Sequence, residues 1–173
     1  MNKQDVIHGS WWAEQLQGKL SQGDIVADLP IFHATLPVRH LKKTTYKNNT
    51  SGWVESDDPK GDFLATGKQS SAIVISHSCD LDKRKGRVIV APIASIASVP
   101  DEHRQKILEQ KHYALMPLPD IPGIGTYFAD LRSISVLHRE IVESNRRIAS
   151  MSEIATKRLQ IQIIAFFTRL ELP

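Results

Sequence analysis

Two β-branched apolar runs, Ala72-Ile73-Val74-Ile75 and Arg87 through Val88-Ile89-Val90 to Ile93, constrain this chain more than any other feature. Residues of this kind favour a pleated, half-buried surface, and the polar segment between the runs ends in Lys85-Gly86. The two runs therefore read as neighbouring strands joined across a loop. That loop carries Ser76-His77-Ser78-Cys79-Asp80-Leu81 and with it the only cysteine of the chain. A thiol, an imidazole, two hydroxyls and a carboxylate thus fall at a strand end, where many scaffolds carry their binding and catalytic groups.

The rest of the chain supplies enough apolar material for one core. With 173 residues, 41% hydrophobic and 24% charged, it reads as a single domain spanning 1–173. The longest apolar stretch, Ile161 to Phe167, is interrupted by Gln162 and falls short of the ~20 residues that span a bilayer, so no membrane association is expected. The start, Met1-Asn2-Lys3-Gln4-Asp5-Val6-Ile7-His8, has no apolar core of secretory length, and one cysteine cannot form an intramolecular disulfide. A cytoplasmic protein is expected.

Strand and helix signals alternate without an internal repeat. Ser10 can cap a short helix carrying Trp12, Leu16 and Leu20 at i, i+4, i+8, ended near Gln22-Gly23. Ile25 to Pro30 has strand periodicity. A long polar insertion at about 32–69, punctuated by Pro37, Gly52, Pro59, Gly61 and Gly67, is expected to hold a ribbon and a mobile loop. Pro100-Asp101 begins a helix through Ile107, and Tyr113 to Met116 reads as a strand ended by Pro117-Leu118-Pro119. The segment Pro122 to Thr126 reads as a turn, because it has neither the lysine of a P-loop nor the helix of a dinucleotide fingerprint. Tyr127 to Leu131 and Ile134 to Leu137 continue the β pattern. Ser150-Met151-Ser152-Glu153 matches a capping box ahead of a helix whose apolar face comprises Ile154, Leu159, Ile163, Phe166, Phe167 and Leu170.

Three kinds of chemistry can be set against these residues. A nucleophilic Cys79 needs a base or a positive field, which His77 can supply if the imidazole reaches the sulfur; Asp80 then orients one of them. The competing reading makes Cys79 a small buried packing residue in a turn held by Ser78 and Asp80. Zinc has no recognisable ligand spacing, since the seven histidines form no HxxxH or HExxH pair and there is no CxxC. No metal or other cofactor is expected. The net charge of +3, from 22 Lys+Arg against 19 Asp+Glu, permits an anionic partner without demanding one. Local clusters are more pointed: Arg39, Lys42 and Lys43 precede Tyr46 and Trp53, and Lys83 and Arg84 follow the cysteine motif. Cationic side chains with interleaved aromatics suit a nucleic-acid strand, the cations meeting phosphates and the rings stacking on bases.

The succession Gly23-Asp24-Ile25-Val26, Ala72-Ile73-Val74-Ile75-Ser76 and Val88-Ile89-Val90-Ala91-Pro92-Ile93 resembles the strand signatures of PemK/MazF-type toxins, small SH3-like barrels that cleave RNA as dimers. That resemblance implies a barrel core, an RNA partner and a homodimer. Ser70-Ser71 stand where those toxins carry an arginine, and Ala94 follows Ile93 where they carry Thr or Ser. It therefore implies the barrel more than an intact ribonuclease site. A broader pattern, from Gly23-Asp24-Ile25 through Ser76 to Leu81, Asp130-Leu131 and Arg147-Ile148-Ala149-Ser150-Met151-Ser152 to Phe166-Phe167-Thr168-Arg169, resembles a family of uncharacterised bacterial and phage-associated proteins. It implies no reaction.

The fold expected is α+β and β-rich, a partly open SH3-like barrel with flanking helices and a C-terminal helix from about Ser152 to Leu170. Three functions stay open. The first is an RNA-binding or RNA-cleaving, toxin-like protein using Arg39, Lys42, Lys43, Tyr46, Trp53, Lys83 and Arg84, with His77 as acid/base. The second is a cysteine-dependent enzyme or nucleotide-binding module built on His77, Cys79 and Asp80. The third is a non-catalytic module that holds a protein partner.

Overall fold

The computed structural model describes residues 10–16, 18–33, 39–57, 62–64, 66–83 and 86–169. In chain order the strands are β1 (Asp24–His33), β2 (Arg39–Thr45), β3 (Ser51–Glu55), β4 (Asp62–Leu64), β5 (Thr66–Val74), β6 (Arg87–Ser95), β7 (Leu115–Ile121), β8 (Gly125–Asp130), β9 (Ser135–His138) and β10 (Arg147–Ser150). The α-helices are α1 (Ser78–Lys83), α2 (Asp101–Leu108), α3 (Arg139–Glu143) and α4 (Glu153–Thr168). The fold is α+β and strand-rich, and none of the described helices is long and apolar enough to cross a membrane. The chain divides into two compact units, residues 30–68 forming one and the remainder the other.

In the larger unit the strands run in the order β10-β1-β5-β6-β8-β7, with β9 also paired to β6. The expected neighbours, β5 and β6, are antiparallel, with Ala72 opposite Pro92 and Val74 opposite Val90. The first half of β6 also pairs with β9, and from Ile93 onward it pairs with β8. Pro92, which has no N–H to give, sits where β6 passes from one set of partners to the other. The core is built from the inward residues of these strands and of α4, among them Ile25, Ile73, Met116, Leu118, Ala129 and Leu159.

Four local expectations are corrected. The described residues between Ser10 and Leu20 form no helix: Trp12 makes a β-bridge to Met151, the Ala13 N–H donates to the Ser150 carbonyl and the Ser152 N–H to that of Trp11. Trp12 is buried, and its indole N–H donates to the Pro119 carbonyl at 2.7 Å. Strand β7 begins at Leu115 and runs through Pro117 and Pro119 instead of stopping at them. As the end strand of the order it has one side with no ladder to complete, so the missing N–H groups cost little. The cap of α4 is Ser152, whose hydroxyl accepts from the Ala155 N–H, while Glu153 pairs with Lys157 at 2.8 Å. Ser150 is drawn elsewhere, donating to Asp24 at 2.6 Å.

The fourth correction concerns the face of α4. Its buried residues are Ala155, Leu159, Gln162 and Ala165, whereas Ile154 and Phe167 are exposed and Leu170 lies outside the described residues. Gln162 turns inward because its amide nitrogen donates to the carbonyls of His112 and Tyr113 at 3.1 and 2.6 Å. A polar side chain with both donor hydrogens engaged is tolerated in a core, and the apolar residues displaced by it face out.

The same region carries a pH-dependent element. His112 accepts through Nδ1 from the Ala114 and Leu115 N–H groups at 3.3 and 3.2 Å, which requires an unprotonated Nδ1. Burial lowers its pKa below the usual value, with Arg132 acting in the same direction and Asp130 against it. Asp130 is itself held low: burial pushes it up, but hydrogen bonds from Arg132 outweigh that. Above pH ~6.5 His112 is neutral both folded and unfolded. As pH falls below that value the unfolded chain takes up the proton first, so this contribution to stability is lost toward the folded pKa. The unfolding free energy is expected to fall between neutral and mildly acidic pH, and His112→Gln to flatten that part of the profile. Denaturant titrations across this range check both.

In the smaller unit β2 lies between β3 and β4, antiparallel to each. The β2–β3 turn is closed by Tyr46 N–H to the Thr50 carbonyl at 2.8 Å, with Asn49 at φ 60° and Asn48 Oδ1 accepting from the Thr50 hydroxyl. Asparagine tolerates this left-handed position, which explains the Asn48-Asn49 pair at the bend.

Candidate functional site: a groove beside α1 and an aromatic ribbon

The residues expected to form a site divide between the two units. In the larger one, β5 ends at Val74 and the chain enters α1 within a few residues. His77 organises that turn: its carbonyl accepts from the N–H groups of Asp80 and Leu81, and its Nδ1 accepts from the Cys79 N–H at 3.2 Å. Leu81, almost fully buried, pins the helix, and its carbonyl takes a hydrogen bond from Arg139. The Ser78 hydroxyl accepts from the Gln22 N–H at 3.2 Å, and the Ser76 hydroxyl from the Ile89 N–H at 2.8 Å. The polar residues of the motif thus serve the backbone first.

Cys79 is exposed on α1, so the reading of it as a buried packing residue does not hold. The imidazole nitrogen on its side is committed to the Cys79 backbone N–H. An acid/base partnership with the sulfur needs that bond broken or the other nitrogen turned toward it. His77 and Asp80 instead line a groove of about 610 Å³, and Cys79 is not part of the lining. Arg87 also lines it, as do Gln22 and Gln160, which are hydrogen-bonded to each other at 2.9 Å. The walls are aliphatic and aromatic: Ile75, Ile89, Val136, Ile164 and Phe167. Lys83 is exposed on the last turn of α1, and Arg84 lies outside the described residues.

In the smaller unit, Lys43 stands directly opposite Trp53 across the β2–β3 ribbon, and Lys42 opposite Val54. Directly opposed residues put their side chains on the same face, so Lys43 and Trp53 are immediate neighbours. Both lysines are exposed, and Trp53 keeps 53% of its surface in solvent. Tyr46, also exposed, lays its ring over Gly52, where a Cβ would come within 2.8 Å of it. A side chain at 52 would therefore push the exposed Tyr46 ring aside. Arg39 is placed on β2 opposite Leu64.

Sequence reasoning placed Arg87 in the basic cluster after the cysteine motif without assigning it to the site, and it missed the Gln22–Gln160 pair and the apolar walls contributed by β6, β9 and α4. The signal that pointed to the last of these was available: Ile161, Ile164 and Phe167 recur every third residue, apart from the stripe through Leu159 and Gln162. No protein-family model matches the chain, and no curated protein is significantly similar to it.

Proposed function

We propose that this protein binds single-stranded RNA, with the β2–β3 ribbon as its contact surface. The observation that carries the reading is the direct pairing of Lys43 with a half-exposed Trp53. A solvent-exposed indole is costly to leave bare and is suited to stacking on a base, while the lysine beside it reaches the neighbouring phosphate. Lys42 and the Tyr46 ring over Gly52 lie on the opposite face of the ribbon, because side chains alternate along a strand, so the contact rests on Lys43 and Trp53. The toxin resemblance is consistent with such a partner, and the antiparallel pairing of β5 with β6 and of β6 with β8 supports the partly open SH3-like barrel that accompanies it. The reading is one of binding; the geometry of His77 and Cys79 gives no comparable support to cleavage.

The test is fluorescence anisotropy with a labelled single-stranded RNA at several salt concentrations. The logarithm of the affinity is expected to fall linearly with that of salt, and Lys43→Ala to reduce the slope by about 0.7, the value of one phosphate contact. Trp53→Ala is expected to weaken binding by roughly 5- to 100-fold, the value of one stacked base. Binding insensitive to both changes, or absent at low salt, sinks the reading.

A further inference from the structure

We infer that the groove beside α1 binds a free α-amino acid with a large apolar side chain, its ammonium set against Asp80 and its carboxylate against Arg87. The two ionic side chains of the lining carry opposite charges, and among the described residues neither has an ion-pair or side-chain hydrogen-bond partner. The backbone gathers them around Ile89. The Ser76 N–H donates to the Ile89 carbonyl at 3.3 Å, and the Ser76 hydroxyl accepts from the Ile89 N–H at 2.8 Å, so the turn into α1 with Asp80 starts beside that residue. Arg87 stands two residues before Ile89 on β6 and therefore on the same face, and Val136, directly opposed to Ile89, continues that face onto β9. Two neutral groups extend the polar set. With Nδ1 taken by the Cys79 N–H, a neutral His77 carries its proton on Nε2 and offers a donor. Gln160, whose Nε2 donates to Gln22, keeps its own carbonyl oxygen as an acceptor.

Charge complementarity selects the ligand. A fatty acid or a nucleotide brings only negative charge, which answers Arg87 and is opposed by Asp80, and a simple amine does the reverse; a zwitterion answers both. An α-amino acid holds both charges and its side chain on one carbon, which matches a groove whose ionic groups and apolar walls meet around Ile89. Those walls, Ile89, Val136, Ile164 and Phe167, are aliphatic with one aromatic ring, a surface suited to a branched or aromatic side chain. The volume of about 610 Å³ falls within the ~300–1,000 Å³ of small-molecule sites.

Isothermal titration calorimetry of the full chain with L-phenylalanine at neutral pH tests this. Saturable binding is expected, with a dissociation constant of roughly 0.1 mM for a ligand of this size. Phenethylamine, which lacks the carboxylate, and hydrocinnamate, which lacks the ammonium, are each expected to bind at least about tenfold more weakly. Asp80→Asn should remove the advantage of L-phenylalanine over hydrocinnamate, and Arg87→Gln its advantage over phenethylamine. Both side chains are exposed, so circular dichroism of either variant should match the native chain. The ligand series is read on the native protein and does not depend on the variants. Absence of saturable binding of L-phenylalanine up to about 10 mM overturns the inference. So do one-charge analogues that bind as tightly as the amino acid, and so do variants that leave its advantage intact.

Discussion

Replacing Asp24 with alanine is expected to lower the unfolding free energy by about 3–5 kcal/mol, the usual cost of removing one partner from a buried ion pair. The Asp24 side chain is 1% exposed. Its two oxygens accept from the Ser150 hydroxyl at 2.6 Å, the Ser21 N–H at 2.9 Å and Arg147 Nη1 at 3.3 Å. The Arg147 guanidinium also holds the carbonyls of Lys19 and Gly18 at 2.9 and 3.3 Å. One carboxylate therefore ties the start of β1 to β10, to the turn before it and to the incoming chain. Alanine leaves a buried hydroxyl and a backbone N–H without their acceptor, each with a desolvation cost, and deprives the Arg147 guanidinium of its counter-charge. The melting temperature should drop by roughly 6–20 °C for a chain of this size. Asp24→Asn, which keeps the shape and one acceptor oxygen, should cost less. Urea titration of the three proteins measures the order, and equal stability of Asp24→Ala and the native chain would refute it.

Trp12→Ala is expected to destabilise by a similar amount, about 3–5 kcal/mol, through the volume lost from the core. Trp12 packs in the main apolar cluster with Met151 and Leu118, and its N–H donates to Pro119 on β7. The neighbouring backbone adds to this attachment: Gly23, at φ 88°, accepts from Met151 N–H and would bring a Cβ within 2.9 Å of the Met151 side chain. The indole thus packs between β7 and the end of β10. Trp12→Phe retains most of the buried area and removes only the hydrogen bond, so its cost should be about 1 kcal/mol. If Phe were as damaging as Ala, the hydrogen bond and not the packing would dominate. Chemical denaturation monitored by circular dichroism separates the two.

The contrast between Trp12 and the central strands shows where local sequence information ended. Ala72, Ile73, Val74, Val88 and Val90 are buried on the pleated surface, and their apolar, mostly β-branched side chains satisfy local propensity and tertiary packing together. Trp12, Leu16 and Leu20 have helical spacing, but a β-bridge to Met151, far along the chain, fixes Trp12 as extended. A window of a few residues contains no information about Met151. Ser150 illustrates the same limit: the capping pattern was present, yet the hydroxyl bonds Asp24 and leaves the cap to Ser152. In α4, hydropathy put Phe167 inward, whereas Phe167 is exposed and Gln162 is buried, its amide held by the carbonyls of His112 and Tyr113.

The candidate site divides along similar lines. From the residues alone came the strand-end position of His77 and Asp80, the aromatic and basic character of the segment holding Lys42, Lys43, Tyr46 and Trp53, and the antiparallel-compatible β5 and β6 runs. These depend on composition and on neighbours a few positions apart, which a sequence displays directly. Only the tertiary structure decided that Cys79 is exposed outside the groove, that Arg87 and the α4 side chains join His77 and Asp80 around it, and that Lys43 meets Trp53 face to face. Each of those facts depends on strand register or helix rotation. Both are set by contacts between residues distant in sequence, because a one-residue slip or a turn of the helix exchanges an inward side chain for an outward one.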